Sequence, residues 1–413
     1  MNRTALLSAG LSILLALPAT AADFETAPTL QASDVLAAEL LSSDNHQVEP
    51  AVTSDGLLNH YTIHSSYGDV TAVSTATAIE RIHEYGAIAK LEAMKNSKVF
   101  TSAVKSGALK VVDGAKNLVT SPIKTVSGTV SGVAKMFQRV GNSAFSRTPA
   151  DSEDGRLKAV FGYTAVKREY AAKLGVDPYS DNPILQQHLD DVAWTAFAGG
   201  IATTVAFSAV PGAAGAVTTT TRTTSTALKA DLRLAPLDLE KRNRDILSGM
   251  DINEEIRETF LKSEAYTPAL KTYITNSLSS LGSVAGRQDA LMTALLTDAH
   301  DVADYRQRQL ALYADYHVRQ APLSRFVRAR GGSALLAESS AGEIILAAPM
   351  DHVSWTSDIG RAFLAEQFNP IFSERKKVLW ITGSASPLAR QELATLGWQV
   401  VENAGAAADK ATP

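Results

Sequence analysis

Three groups of residues in this sequence combine types that could do chemistry. Asp298, His300, Asp301 and Asp304 form its densest acid and histidine cluster. His300 and Asp304 stand four apart, so on a helix they share a face and could hold a divalent metal weakly. Asp351, His352 and Ser354 lie near the end of an apolar run, where hydrolytic residues are often placed, although neighbours on a strand face opposite ways. The loop TGSASPLAR, residues 382–390, follows a strand pattern and opens a helix. Backbone amides there, with Ser384, Ser386 and Arg390, could hold a phosphate or carboxylate. The loop lacks the glycines of a phosphate-binding or dinucleotide loop. No G-x-S-x-G, H-E-x-x-H or paired-carboxylate pattern occurs, and there is no cysteine. No catalytic residue, metal ligand or cofactor is therefore assigned from sequence.

The other distinctive stretch is basic. Lys98, Lys105, Lys110, Lys116, Lys124, Lys135 and Arg139 follow one another against the single acid Asp113, in a chain whose net charge is −4. Phe100, Val104, Ala108, Val111, Ala115, Val119, Ile123, Val126, Val130, Val133, Phe137 and Val140 step by three or four through it. Several of them repeat at intervals of eleven, about 3.67 residues per turn, so an apolar stripe would barely drift around a helix. The pattern predicts a helix lying on an anionic bilayer face, each cation contributing about 1 kcal/mol near the surface. In its spacing and lysines the segment resembles the amphipathic repeats of the apolipoprotein, synuclein and perilipin type. It departs from them in lacking balancing glutamates and in carrying Pro122. Gly107, Gly114, Gly128 and Gly132 weaken the helix further, so it needs a surface to order it, lipid or protein.

The opening residues bear on compartment. Arg3, the uncharged run Ala5 to Leu17, Pro18 and Ala19-Thr20-Ala21 read as a secretory signal peptide, and imply an exported, periplasmic protein. The mild negative net charge argues against a nucleic-acid partner. From Val192 to Val217 no charged residue occurs, a length that could cross or enter a membrane. Its Ala and Gly content equally suits a buried central helix.

The elements that must position these residues read as follows. Residues 1–22 are the signal peptide and 23–56 a mobile leader; 57–147 hold a β-hairpin, with Tyr61 and Ile63 facing one way, and the basic segment. Residues 148–320 read as a helical domain with helices near 237–247, 252–262 and 268–283 and a long one over 287–319, its apolar seam interrupted by Asp298 and Gln309. Residues 321–403 read as a small α/β domain and 404–413 as a disordered tail. The expected fold class is mainly α with a small α/β C-terminal domain, an N-terminal β-hairpin and a long amphipathic helical segment. The expected function is that of an exported, membrane-associated, non-catalytic envelope protein. Its partner is then an anionic membrane surface or another envelope protein, with the oligomeric state left open. Two alternatives stand beside it: a periplasmic enzyme or ligand-binding protein with an anion site in the C-terminal unit, and a membrane-inserting effector using 192–217.

Overall fold

The computed structural model describes residues 24–105, 151–210, 231–297, 299–328, 334–366 and 370–404. The expectation of a mainly α chain is overturned. The structure is about 53% helical with 17% strand and contains two five-stranded sheets, a mixed α/β fold.

The first sheet absorbs the stretch read as a mobile leader. Strands β1 (Thr29–Gln31), β2 (Gln47–Val48), β3 (Ala51–Ser54), β4 (Asn59–His64) and β5 (Val70–Val73) pair antiparallel, with β4 at the centre. Short helices α1 (Ala32–Val35) and α2 (Ala38–Leu41) lie between β1 and β2. Asn59, Tyr61 and Ile63 alternate inward along β4, while His60, Thr62 and His64 face out. The hairpin is present, β4 on β5, but as two strands of a larger sheet.

Against this sheet lies α3 (Thr75–Lys95), capped by the Ser74 hydroxyl on the Thr77 amide. Its buried Ala78, Ile82, Tyr85, Ile88, Leu91 and Met94 recur every three or four residues, the spacing of a one-faced helix. Helices α4 (Lys98–Lys105), α5 (Asp151–Leu174), α6 (Pro183–Ala198) and α7 (Thr203–Ser208) complete this layer, and Phe100, Tyr170, Leu189, Val192 and Phe207 join the same core.

Next come α8 (Pro236–Ser248), α9 (Glu254–Lys262), α10 (Pro268–Ser280), α11 (Arg287–Ala294) and α12 (His300–Arg319). The long helix expected over 287–319 is two helices. Leu295 and Leu296 turn out of the first, and the Thr297 hydroxyl accepts the Ala299 amide at 3.0 Å just before the second begins. Gln309, an interruption on the sequence seam, is buried and donates to the Ala347 carbonyl at 2.9 Å.

That contact leads to the second sheet, ordered β12-β10-β8-β7-β6, from β6 (Leu323–Arg328), β7 (Leu335–Ser339), β8 (Ile344–Ala348), β10 (Lys377–Ile381) and β12 (Trp398–Val401). Strands β8, β10 and β12 are parallel; β6 and β7 are antiparallel. Parallel strands are buried on both faces and need a helical layer on each. Helices α13 (Ser357–Glu366) and α14 (Pro387–Thr395) accompany the face of Ile344, Leu379 and Ile381, with Leu393 of α14 in the same core. The other face, with Phe326, Ile345, Val378 and Trp380, shares one core with Phe260, Ile274, Leu291 and Tyr313 of the preceding helices. The boundary expected at 320/321 is therefore crossed by a single core.

Candidate functional site at the carboxyl edge of the parallel strands

In open α/β sheets the backbone diverges at the carboxyl ends of the parallel strands, and polar residues collect there. Here that edge carries Asp351 and His352 after β8, Thr382 to Ser386 after β10, and Glu402 and Asn403 after β12. Two short parallel strands, β9 (His352–Val353) and β11 (Ser384–Ala385), form on it, with His352 opposite Ser384. In-register parallel neighbours put side chains on the same side, and His352 Nδ1 lies 2.9 Å from Ser384 Oγ. Gly383 makes the approach possible: a Cβ there would lie 1.8 Å from the Asp351 carbonyl oxygen.

Asp351 turns the other way. Its Oδ2 accepts the backbone amides of Asn59 at 3.0 Å and Thr75 at 2.9 Å, tying the carboxyl edge to β4 and to the start of α3. Burial raises the affinity of this carboxyl for its proton, opposed by the two amides and by the charge of Arg308. His352 moves in the opposite sense: burial lowers its pKa and outweighs the nearby carboxylates of Glu25 and Glu402, while Arg390 adds to the lowering. The imidazole is thus neutral at pH 7 and can exchange a proton with the Ser384 hydroxyl.

A hydroxyl beside a neutral imidazole is the first half of a nucleophile and base arrangement. Acyl transfer also requires N–H donors aimed at a developing oxyanion. The amides of this corner are engaged elsewhere. Gly383 donates to the Met350 carbonyl, Ser384 to that of Asp351, Ser386 to that of Val353, and Ala385 to the Glu402 carboxylate at 2.6 Å.

The structure brings Ser384, Ser386 and Arg390 to one corner, with carboxylates of the chain itself beside them. Glu402 accepts from Ala385 N and from Arg390 Nε at 3.0 Å. Glu25 accepts from the Trp355 amide and the Ser386 hydroxyl, and Ser386 also caps α14 by accepting the Ala389 amide at 2.9 Å. Sequence reasoning missed Glu25 and Glu402. Glu402 could have been suspected from its place just after the last strand; Glu25 carried no local signal.

The remaining sequence candidates lie elsewhere. His300 Nδ1 is 3.3 Å from the Ala265 carbonyl and Nε2 is 4.0 Å from Asp181, whereas Asp304 binds Arg308 Nε at 2.7 Å. Asp298 lies outside the described residues. Among the described residues no group of three or more histidines and acids is disposed to hold a metal ion. A denser charged network sits nearby. Buried Glu84 accepts from Arg81, at 2.9 Å, from Asn182, at 2.8 Å, and from Ser180, while Arg81 also binds Asp181. Burial opposes the Arg81 charge, but Glu84, Asp181 and Glu80 outweigh it and the net direction is upward.

Of the basic segment, Lys98 and Lys105 are exposed on α4, whose Phe100 is buried and whose Val104 is 50% exposed. Lys110, Lys116, Lys124, Lys135 and Arg139 lie outside the described residues. The uncharged run is described as far as Val210. It is broken at Gly199 and Gly200, the latter at φ +63°, into α6 and α7, which bury Val192, Ala196 and Phe207. Among the described residues no helix is long and apolar enough to cross a membrane. No protein-family model, curated protein or solved structure matches the chain.

Proposed function

We propose that this chain is an exported, non-catalytic protein of the cell envelope that lies against an anionic membrane surface through the basic segment beginning at α4. The observation that carries the reading is the arrangement of α4. Phe100 fixes the helix to the protein core while Lys98, Val104 and Lys105 face solvent, so the segment starts with cations and one apolar side chain outward. The sequence continues with further lysines among apolar residues at helical spacing, and it opens with the signal-peptide pattern. The engagement of the corner amides by the chain's own acceptors favours a non-catalytic role. Co-sedimentation of the chain with vesicles tests the reading. Binding to vesicles rich in phosphatidylglycerol at low salt, weakened by added salt and by K98E/K105E, is expected. Equal, negligible binding to neutral and anionic vesicles removes it.

A second reading is favoured by the hydrogen bond between His352 and Ser384: a periplasmic ligand-binding protein or hydrolase acting at the carboxyl edge. Incubation with a fluorophosphonate probe separates the two forms. An adduct on Ser384 that is lost with H352A supports hydrolysis, and an unlabelled Ser384 in the folded chain excludes it.

A further inference from the structure

The corner between α13 and α14 holds a piece of this chain in the way a receptor holds a peptide. Residues 24–28 form neither helix nor strand, yet they are fixed at two successive side chains. Glu25 grips the Trp355 peptide unit from both sides: its amide donates to the Trp355 carbonyl at 3.0 Å, and its carboxylate accepts the Trp355 amide. The same carboxylate oxygen accepts the Ser386 hydroxyl at the start of α14. Phe24 lies on Gly360 of α13, where a Cβ would stand 2.6 Å from the Phe24 ring and 3.0 Å from Trp355 Cε2. Gly360 is thus the floor on which both rings rest.

The fit is incomplete in a way that points to a ligand. Trp355 is fully buried, and its indole Nε1, bonded to the Cε2 atom that meets Gly360, has no hydrogen-bond partner among the described residues. The hydroxyl of the neighbouring Ser354, 1% exposed, has none either. Buried polar atoms are normally satisfied, so the orphan indole N–H, on the ring that shares its glycine floor with Phe24, marks unused binding capacity. Phe24, by contrast, is 39% exposed and covers its seat only in part.

We propose that this corner is a docking site for an extended peptide carrying an aromatic residue followed by a carboxylate, occupied in this chain by its own Phe24 and Glu25. The recognition uses one main-chain pair, one carboxylate on an amide and a hydroxyl, and one ring on a glycine floor. A segment of the same pattern from a partner protein competes for the seat, and is favoured if it also reaches Trp355 Nε1.

The test uses the full chain with F24A/E25A and a labelled, N-acetylated peptide of sequence FETAPTL, followed by fluorescence anisotropy. Saturable binding to the double variant is expected, about tenfold weaker to the unaltered chain, whose seat is filled, and lost when the peptide glutamate is replaced by alanine. A double variant that keeps its circular-dichroism spectrum and binds no peptide overturns the proposal, as does binding indifferent to the glutamate. E25Q, which preserves side-chain volume, is the second arm should the double variant not fold. It should bind the peptide severalfold tighter than the unaltered chain, and equal binding by the two again overturns the proposal.

Discussion

Asp351 and Thr75 meet across 276 residues of sequence, the carboxylate of one accepting the backbone amide of the other at 2.9 Å. Because Thr75 is the first residue of α3, this carboxylate also sits at the positive end of a 21-residue helix. The Asn59 amide shares the same oxygen. D351A leaves both amides without their acceptor, at a cost of about 1–3 kcal/mol each when buried. Urea unfolding should show a loss of about 2–4 kcal/mol, and hydrogen exchange at the Asn59 and Thr75 amides should quicken. Unchanged exchange at both would refute the assignment.

The Arg81–Glu84 pair predicts a non-additive result. R81M strands the fully buried Glu84 carboxylate and should destabilise the chain by about 3–5 kcal/mol. The double variant R81M/E84L removes both charges and should recover much of that loss, because the apolar pair no longer leaves a charge unpaired. A double variant as unstable as the sum of its singles would show that the two residues do not act together.

Lys271 gives a pH dependence of defined sign. Burial lowers its pKa from 10.5 to about 8, while its ammonium group donates to the Leu261 carbonyl at 2.6 Å. Between about pH 8 and 10.5 the unfolded chain binds this proton and the folded chain does not, so the lysine makes stability rise with pH across that window. Below it the cost of the buried charge is fully present. K271M should therefore be the more stable at neutral pH, by about 2 kcal/mol, with the advantage shrinking as pH rises through the window. Parallel stability curves for the two proteins would contradict this.

Gly383 is a test of the carboxyl edge. With a Cβ placed 1.8 Å from the Asp351 carbonyl oxygen, G383A must push β11 away from β9. A loss of about 2–4 kcal/mol is expected, and the His352 ring resonances should shift as its contact with Ser384 opens.

The parts of this fold written in local pattern were legible. β4, α3 and the strand, Ser386-Pro387 and helix sequence around β10 and α14 all show the spacing or caps their geometry requires. What escaped was non-local. Strands β1 and β2 have three and two residues, and Leu30 and Val48 are too few to set a period, so the sheet that needs them was invisible. The core shared by the helical and α/β stretches was not legible, because the sheet's second face borrows its cover from helices such as α12, and Gln309 looked like a flaw until its partner in β8 was seen. At the candidate site, the position of loop 382–390 followed from sequence. Its neighbours did not: Glu25 lies 361 residues from Ser386, and nothing near either residue announces the other.

That separation also sets the order in which the molecule can be finished. Contacts spanning most of a chain close late and slowly, since the intervening loop entropy must be overcome first. Glu25 is synthesised 361 residues before Ser386, so the corner they share is assembled only after the ribosome has delivered both. A nascent chain halted before Ser386 would carry Glu25 and Trp355 without the hydroxyl that completes the Glu25 seat. Arrival of Ser386, rather than any single local element, is the event that lets this corner close.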